Sequence, residues 1–187
     1  MKRLSIAALF ILLVANLATG RADAAESAGC GTGLLEGKRI TVEVQGSGPD
    51  VVLIPGLSSP RDVWGPTAAR LKGAHRLHLV EVRGFGGDAP GPNAEGPVLE
   101  PMMREIADYI DDCIVDQGHP APAIIGHSLG GLTAMMIAAR SPKDVGKLMV
   151  VDSLPFFGML FGPTATVAMV EPQAAGIQKI LAAQPNA

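Results

Sequence analysis

The chain has 187 residues, enough for one domain with one sizeable core. Hydrophobic residues make up 48% and charged residues 18%, with 23 Gly and 15 Pro, which excludes a disordered chain or a coiled coil and points to a compact fold rich in tight turns. The net charge is −3 and no basic cluster is present, so no nucleic-acid partner is expected.

At the N-terminus, Lys2 and Arg3 precede an apolar run from Leu4 to Ala18, then polar residues and Ala22-Asp23-Ala24. A charged start, a short apolar middle and a small-residue cleavage site form a secretory signal peptide over residues 1–24, cut after Ala24. The apolar run falls short of the ~20 residues that span a bilayer, so export to the periplasm or medium is expected without a stable membrane anchor. Cys30 lies too far beyond the apolar run for a lipobox. Export permits a disulfide between Cys30 and Cys113; the alternative is a small buried Cys113 on a helix and a loose Cys30 thiol.

Strand-like and helix-like segments then alternate. Ile40 to Val44 alternates like a half-exposed strand and is followed by a turn, Gln45 to Asp50. Val51-Val52-Leu53-Ile54 is a short continuous apolar run, as in a strand buried on both faces. A helix is predicted over Arg61–Leu71, with Trp64, Ala68 and Leu71 on one face, and a strand over Leu77–Val82. After a Pro/Gly-rich connection, Val98, Met102, Ile106, Ile110 and Ile114 recur every four residues, one apolar helical face ending before Gly118. A strand at Ala123–Ile125, a helix over Leu129–Arg140 and a strand over Lys147–Val151 complete the pattern. The apolar runs 51–54, 79–82, 124–125 and 149–151 are expected as adjacent, buried parallel strands. The fold class is α/β, a mostly parallel sheet with helices on both faces. From residue 153 on, Phe156, Phe157, Met159, Leu160, Phe161 and Met169 fall in a Pro/Gly-interrupted stretch. A short helix near Gly176–Ala183 follows. This segment suits a lid over an apolar pocket, with an ordinary core helix as the alternative.

Chemistry enters at Gly126-His127-Ser128-Leu129-Gly130-Gly131, a G-x-S-x-G nucleophile elbow. The pattern alone is weak in a glycine-rich chain, but here it joins a buried strand to a strong helix. Such a serine sits on a sharp turn with positive φ. Side chains at 126 and 130 would collide with neighbouring backbone, and the helix beginning at Leu129 aims its free N–H groups at the serine. The P-loop alternative for the glycine-rich turns fails, since no Gly-Lys-Ser/Thr follows any of them.

From Ile40 to Asp152 the chain resembles the α/β-hydrolase fold superfamily. Leu53-Ile54-Pro55-Gly56-Leu57 is similar to its oxyanion loop, with Pro55-Gly56 where many members have His-Gly. Arg83-Gly84-Phe85-Gly86 is similar to the loop after the next strand, and Val150-Val151-Asp152 to the strand end before the lid. The resemblance implies a core over residues 25–152 and the start of a lid over 153–187. It implies Ser128 as nucleophile, backbone N–H groups of Leu57 and Leu129 as the oxyanion hole, and Gly126 and Gly130 as the elbow glycines. Asp152 is a candidate acid; no cofactor and no metal are implied. The family order is Ser, then Asp/Glu, then His, yet His75, His78, His119 and His127 all precede Ser128. The first three are expected at the opposite end of the sheet, and His127 should point away from the serine. A catalytic histidine is therefore missing, and the chain is expected to be truncated after the start of the lid.

The function expected is hydrolysis of a small, apolar acyl substrate through an acyl-serine, the chain by itself being inactive. Alternatives are a non-catalytic binding protein of the same fold, or peptide, lactone or epoxide cleavage. Epoxide hydrolases and dehalogenases normally carry aspartate at the position of Ser128. Oligomeric state is not legible.

Overall fold

The computed structural model describes residues 30–182, so the expected signal peptide (1–24) lies outside the described residues. Six strands form one sheet in the order β1-β2-β4-β3-β5-β6. The strands are β1 (Gly33–Glu36), β2 (Ile40–Gly46), β3 (Asp50–Ile54), β4 (Arg76–Val82), β5 (Ala123–His127) and β6 (Lys147–Val151). The pairs β4–β3, β3–β5 and β5–β6 are parallel, whereas β1–β2 and β2–β4 are antiparallel. Strand β1 has no apolar run to announce it.

Alternation along each strand sorts side chains to two faces. Val52, Ile54, Val80, Val82 and Ile124 belong to the larger cluster, with Met102, Ile106, Ile110 and Ile114. Those four come from α2 (Leu99–Ile110) and the π-helical turn Asp111–Val115 that extends it. Helix α3 (Leu129–Arg140) covers the same face through Ala134 and Ile137. Val51, Leu53, Leu77 and Leu79 point the other way, toward Trp64, Ala68 and Leu71. That helix begins as a 3-10 turn at Arg61–Trp64 and continues as α1 (Gly65–Leu71), because Pro66 suits the first turn of an α-helix.

Two strand expectations need correction. Strand β2 is almost wholly buried rather than half-exposed, because it lies between β1 and β4 and its Thr41 hydroxyl is taken by Arg61. Strand β6 is exposed rather than buried: Met149 is 57% and Leu148 41% accessible, since among the described residues β6 is flanked by a strand on one side only.

Beyond β6, Phe157–Phe161 form a 3-10 turn against which α4 (Val167–Ala182) packs. This helix starts well before the expected Gly176 and runs through Pro172. Both cysteines are disulfide-bonded. Among the described residues no helix is long and apolar enough to cross a membrane.

Candidate active site

Three parallel strands, β3, β5 and β6, end at one rim of the sheet with β5 in the middle, so the loops that leave them emerge side by side. Ser128 is the first residue after β5 and the N-cap of α3, with φ 52° and ψ −118°. That conformation costs a residue bearing a Cβ about 1–3 kcal/mol and persists only where the surroundings hold it. Here the Ser128 N–H donates to Val151 O (3.0 Å) and its carbonyl accepts from the Leu132 N–H (3.1 Å), so β6 and α3 clamp it from both sides.

The two elbow glycines are required by close approach. A Cβ on Gly126 would lie 2.2 Å from Gly130 O, and one on Gly130 would lie 2.2 Å from Ile54 O and 2.5 Å from Pro55 O. The first turn of α3 is thus pressed against the end of β3. Its unpaired N–H groups, beginning with Leu129, sit beside the serine, where the helix dipole favours negative charge.

Facing the serine is the loop after β3. A Cβ on Gly56 would stand 3.4 Å from Ser128 Cβ and 3.2 Å from His127 Nδ1, so the backbone of residues 56–57 passes in contact with the elbow. Leu57 turns its side chain to solvent, 65% exposed, and Ser58 takes φ 52°. The loop is tied down by Arg61. Its N–H and Nε donate to Glu81 Oε2 at 2.9 and 3.1 Å, and its Nη2 to Thr41 Oγ1, all buried. This anchor went unseen in the sequence, because Arg61, Glu81 and Thr41 come from three segments with no common spacing.

Asp152, directly after β6, is exposed with φ 47° and lies at the same rim, one residue beyond the carbonyl that holds Ser128. The rim therefore brings together Ser128, Leu57, Leu129, Gly126, Gly130 and Asp152. It also holds a pair unnoticed in the sequence: Gly131 is so close to Ser153 that a Cβ there would lie 2.6 Å from the serine's own.

The histidines are elsewhere. Asp50, at the start of β3, accepts from His78 Nε2 (2.8 Å), His119 Nδ1 (3.0 Å) and Arg76 Nε (2.5 Å), and His78 Nδ1 meets the Tyr109 hydroxyl at 2.6 Å. This hub sits at the opposite end of the strands. Burial lowers the pKa of His78, only partly offset by its bond to Asp50. Burial alone would raise that of Asp50, but bonds from His78 and Arg76 and the Arg76 charge bring it below the ordinary value. Burial raises the pKa of the Tyr109 hydroxyl. His75 lines the same pole, where a groove of about 630 Å³ opens between α1 and β5, far from the serine. His127 turns its ring toward Gly56. Among the described residues no group of His, Cys, Asp or Glu is arranged to hold a metal.

The sequence pattern of the alpha/beta hydrolase family matches residues 51–185. The chain belongs to this family. It is 35% identical over 121 residues to a pimeloyl-[acyl-carrier protein] methyl ester esterase of Nitrosospira multiformis, covering 62% of this chain and 43% of that protein. It is 38% identical over 113 residues to the protein of the same name from Vibrio campbellii, covering 60% and 40%. An esterase from Exiguobacterium antarcticum superposes with a TM-score of 0.52 at 26% identity, over 66% of this chain and 46% of that one. The chain thus spans about two fifths of the length of these curated hydrolases.

Proposed function

We propose that the chain carries the nucleophile half of an esterase-type acyl hydrolase working through an acyl-serine. The observation that carries this reading is the positive-φ Ser128, clamped between β6 and α3 with the loop of Gly56 beside it. Ser128 Oγ attacks the ester carbonyl carbon and passes its proton to a base. The N–H groups of Leu57 and Leu129 hold the resulting oxyanion, the alkoxy group leaves with a proton, and water then releases the acid and restores the serine. The relatives' names favour a methyl ester as substrate. Asp152 is the acid we assign to orient the base. The base we assign is none of the chain's four histidines, a reading supported by two of them being bonded to Asp50 and by His75 lying at the same pole. His127 faces Gly56. Without a base, triad hydrolases retain only ~10³–10⁴-fold acceleration over water, so the chain alone is a poor enzyme. Export is the location we assign, supported by the N-terminal pattern and by two disulfide-bonded cysteines. N-terminal sequencing of the exported protein should begin at Ala25; an intact residue 1–24 segment would refute the assignment.

The test of the mechanism is p-nitrophenyl acetate turnover beside a Ser128→Ala control. Slow turnover abolished by the substitution supports it, while fast Ser128-dependent turnover would show that one of the four histidines reaches the serine. A binding role without catalysis is the second reading, favoured by the placement of the histidines. Failure of a fluorophosphonate to label Ser128 at any concentration selects it.

A further inference from the structure

The loop that carries the Leu57 N–H is held at its two ends. On entry, Ile54 pairs with Gly126 in the sheet, and Ile54 and Pro55 are pressed against Gly130. On exit, the Arg61 N–H and Nε both donate to Glu81 Oε2, at 2.9 and 3.1 Å. Between these ends the hydrogen bonds are long: Ser59 N–H to Gly56 O and Ser59 Oγ to Leu57 O, both 3.3 Å. Leu57 is exposed and Ser58 is strained at φ 52°, so the place of the Leu57 N–H depends on where the ends are held.

Glu81 is itself gripped from two sides. It lies on β4 directly opposite Thr41 of β2, whose hydroxyl accepts from Arg61 Nη2, and all three residues are buried. The loop leaving β4 lies against the same carboxylate. A Cβ on Gly86 would overlap Oε1 and Cδ of Glu81 and stand 2.8 Å from Oε2. Gly86 is otherwise unremarkable, exposed and with a φ outside the left-handed region, so this contact is what calls for a glycine there. A buried ion pair adds little net stability over an apolar replacement, so the consequence of this one lies in placement.

We propose that Glu81 is a positioning residue for ester cleavage, an assignment that rests on the oxyanion role given above to Leu57. One carboxylate oxygen holds Arg61, and with it the exit of the Leu57 loop; the other is braced by the Gly86 backbone. The loops after β3 and β4 thus share one strut. Pushing or removing it moves the Leu57 N–H away from the developing oxyanion, at a distance from Ser128 itself.

The rate at which a fluorophosphonate labels Ser128 of the full chain tests this. Ser128 Oγ bonds to phosphorus, fluoride leaves, the serine proton passes to solvent, and the phosphoryl oxygen takes the place of the ester carbonyl oxygen. Misplacing a catalytic group by about 1 Å can cost ~10²-fold in rate. Glu81→Ala and Gly86→Ala should therefore each lower the labelling rate at saturating probe at least tenfold, with the half-saturating concentration within about twofold of the parent's. Glu81→Gln keeps an accepting oxygen and should stay within about threefold of the parent. Gly73→Ala, whose added Cβ meets nothing within 4 Å, should label like the parent. Because both changes act through one strut, Glu81→Ala/Gly86→Ala should be no slower than Glu81→Ala alone. Gly86→Ala carries the test by itself if Glu81→Ala does not fold. Parental labelling in Gly86→Ala, effects that multiply in the double variant, or a loss confined to the half-saturating concentration each overturns the proposal. An unlabelled parent removes the nucleophile reading and this one with it, whereas a labelled parent with unaltered variants removes this one only.

Discussion

Replacing Gly130 by alanine tests the packing that shapes the elbow. The new methyl would arrive 2.2 Å from Ile54 O, 2.5 Å from Pro55 O and 2.7 Å from Ile54 C, all of them backbone atoms that cannot swing aside. Contacts under 3.0 Å are essentially never made by a Cβ, so α3 and the end of β3 must separate by at least 0.8 Å. Gly130 and Gly131 are themselves buried, and Ala134 and Ile137 one and two turns on have no exposed surface to spare, so the strain spreads into the main core. Overpacking of this kind costs about 1–3 kcal/mol, and contact with backbone on three atoms places Gly130→Ala near the upper end. For a domain of this size that is a fall of about 6–10 °C in Tm, or a matching loss of urea midpoint at constant m. Gly65→Ala is the control: Gly65 is helical and nothing lies within 4 Å of its added Cβ, so this variant should match or slightly exceed the parent. If Gly130→Ala also melts within about 1 °C of the parent, a shift inside the usual surface-mutation range, α3 does not press on β3 as described.

Ser128→Gly should melt above the parent by the equivalent of about 1 kcal/mol, because glycine adopts φ 52° without strain, while Ser128→Ala should not; calorimetry of the three proteins decides it. Asp50→Asn leaves Arg76 with a weakened partner and two histidines with altered ones in a buried site, and should cost about 3 kcal/mol in urea titration. Lowering the pH should destabilise the chain in two stages. The folded-state pKa of His78 is lowered from 6.5, so the unfolded chain binds the extra proton first and stability begins to fall below that value. That of Asp50 is lowered from 3.8, so its contribution is complete above 3.8 and lost as the pH falls through the folded value. In His78→Gln the first stage should disappear; an unchanged pH profile would exclude His78 as its source.

Much of this was written plainly in the chain. The spacing Val98, Met102, Ile106, Ile110, Ile114 foretold one buried helical face, and all five join the main cluster. The elbow could be read because a strand, a short Gly-x-Ser-x-Gly turn and a helix follow each other within a few residues, so local order carries the geometry. What failed to show was non-local. An apolar run such as Met149–Val151 reports hydrophobicity, not whether a neighbouring strand exists to cover it. The Asp50 hub joins residues up to 69 positions apart, and no spacing rule connects an aspartate in a Gly-Pro-Asp turn to His119. Helix α4 was read only near Gly176–Ala183, although it begins at Val167 and contains Pro172.

Ser58, Ser128 and Asp152 are the three non-glycine residues with positive φ among those described, and they follow β3, β5 and β6 in turn. Strain is thus collected at one end of the sheet, while the opposite end is riveted by buried charge. A library of this chain selected only for heat tolerance would drift toward glycine at 58, 128 and 152. It would leave Asp50, His78 and Arg76 untouched, and would improve the protein by dismantling the rim.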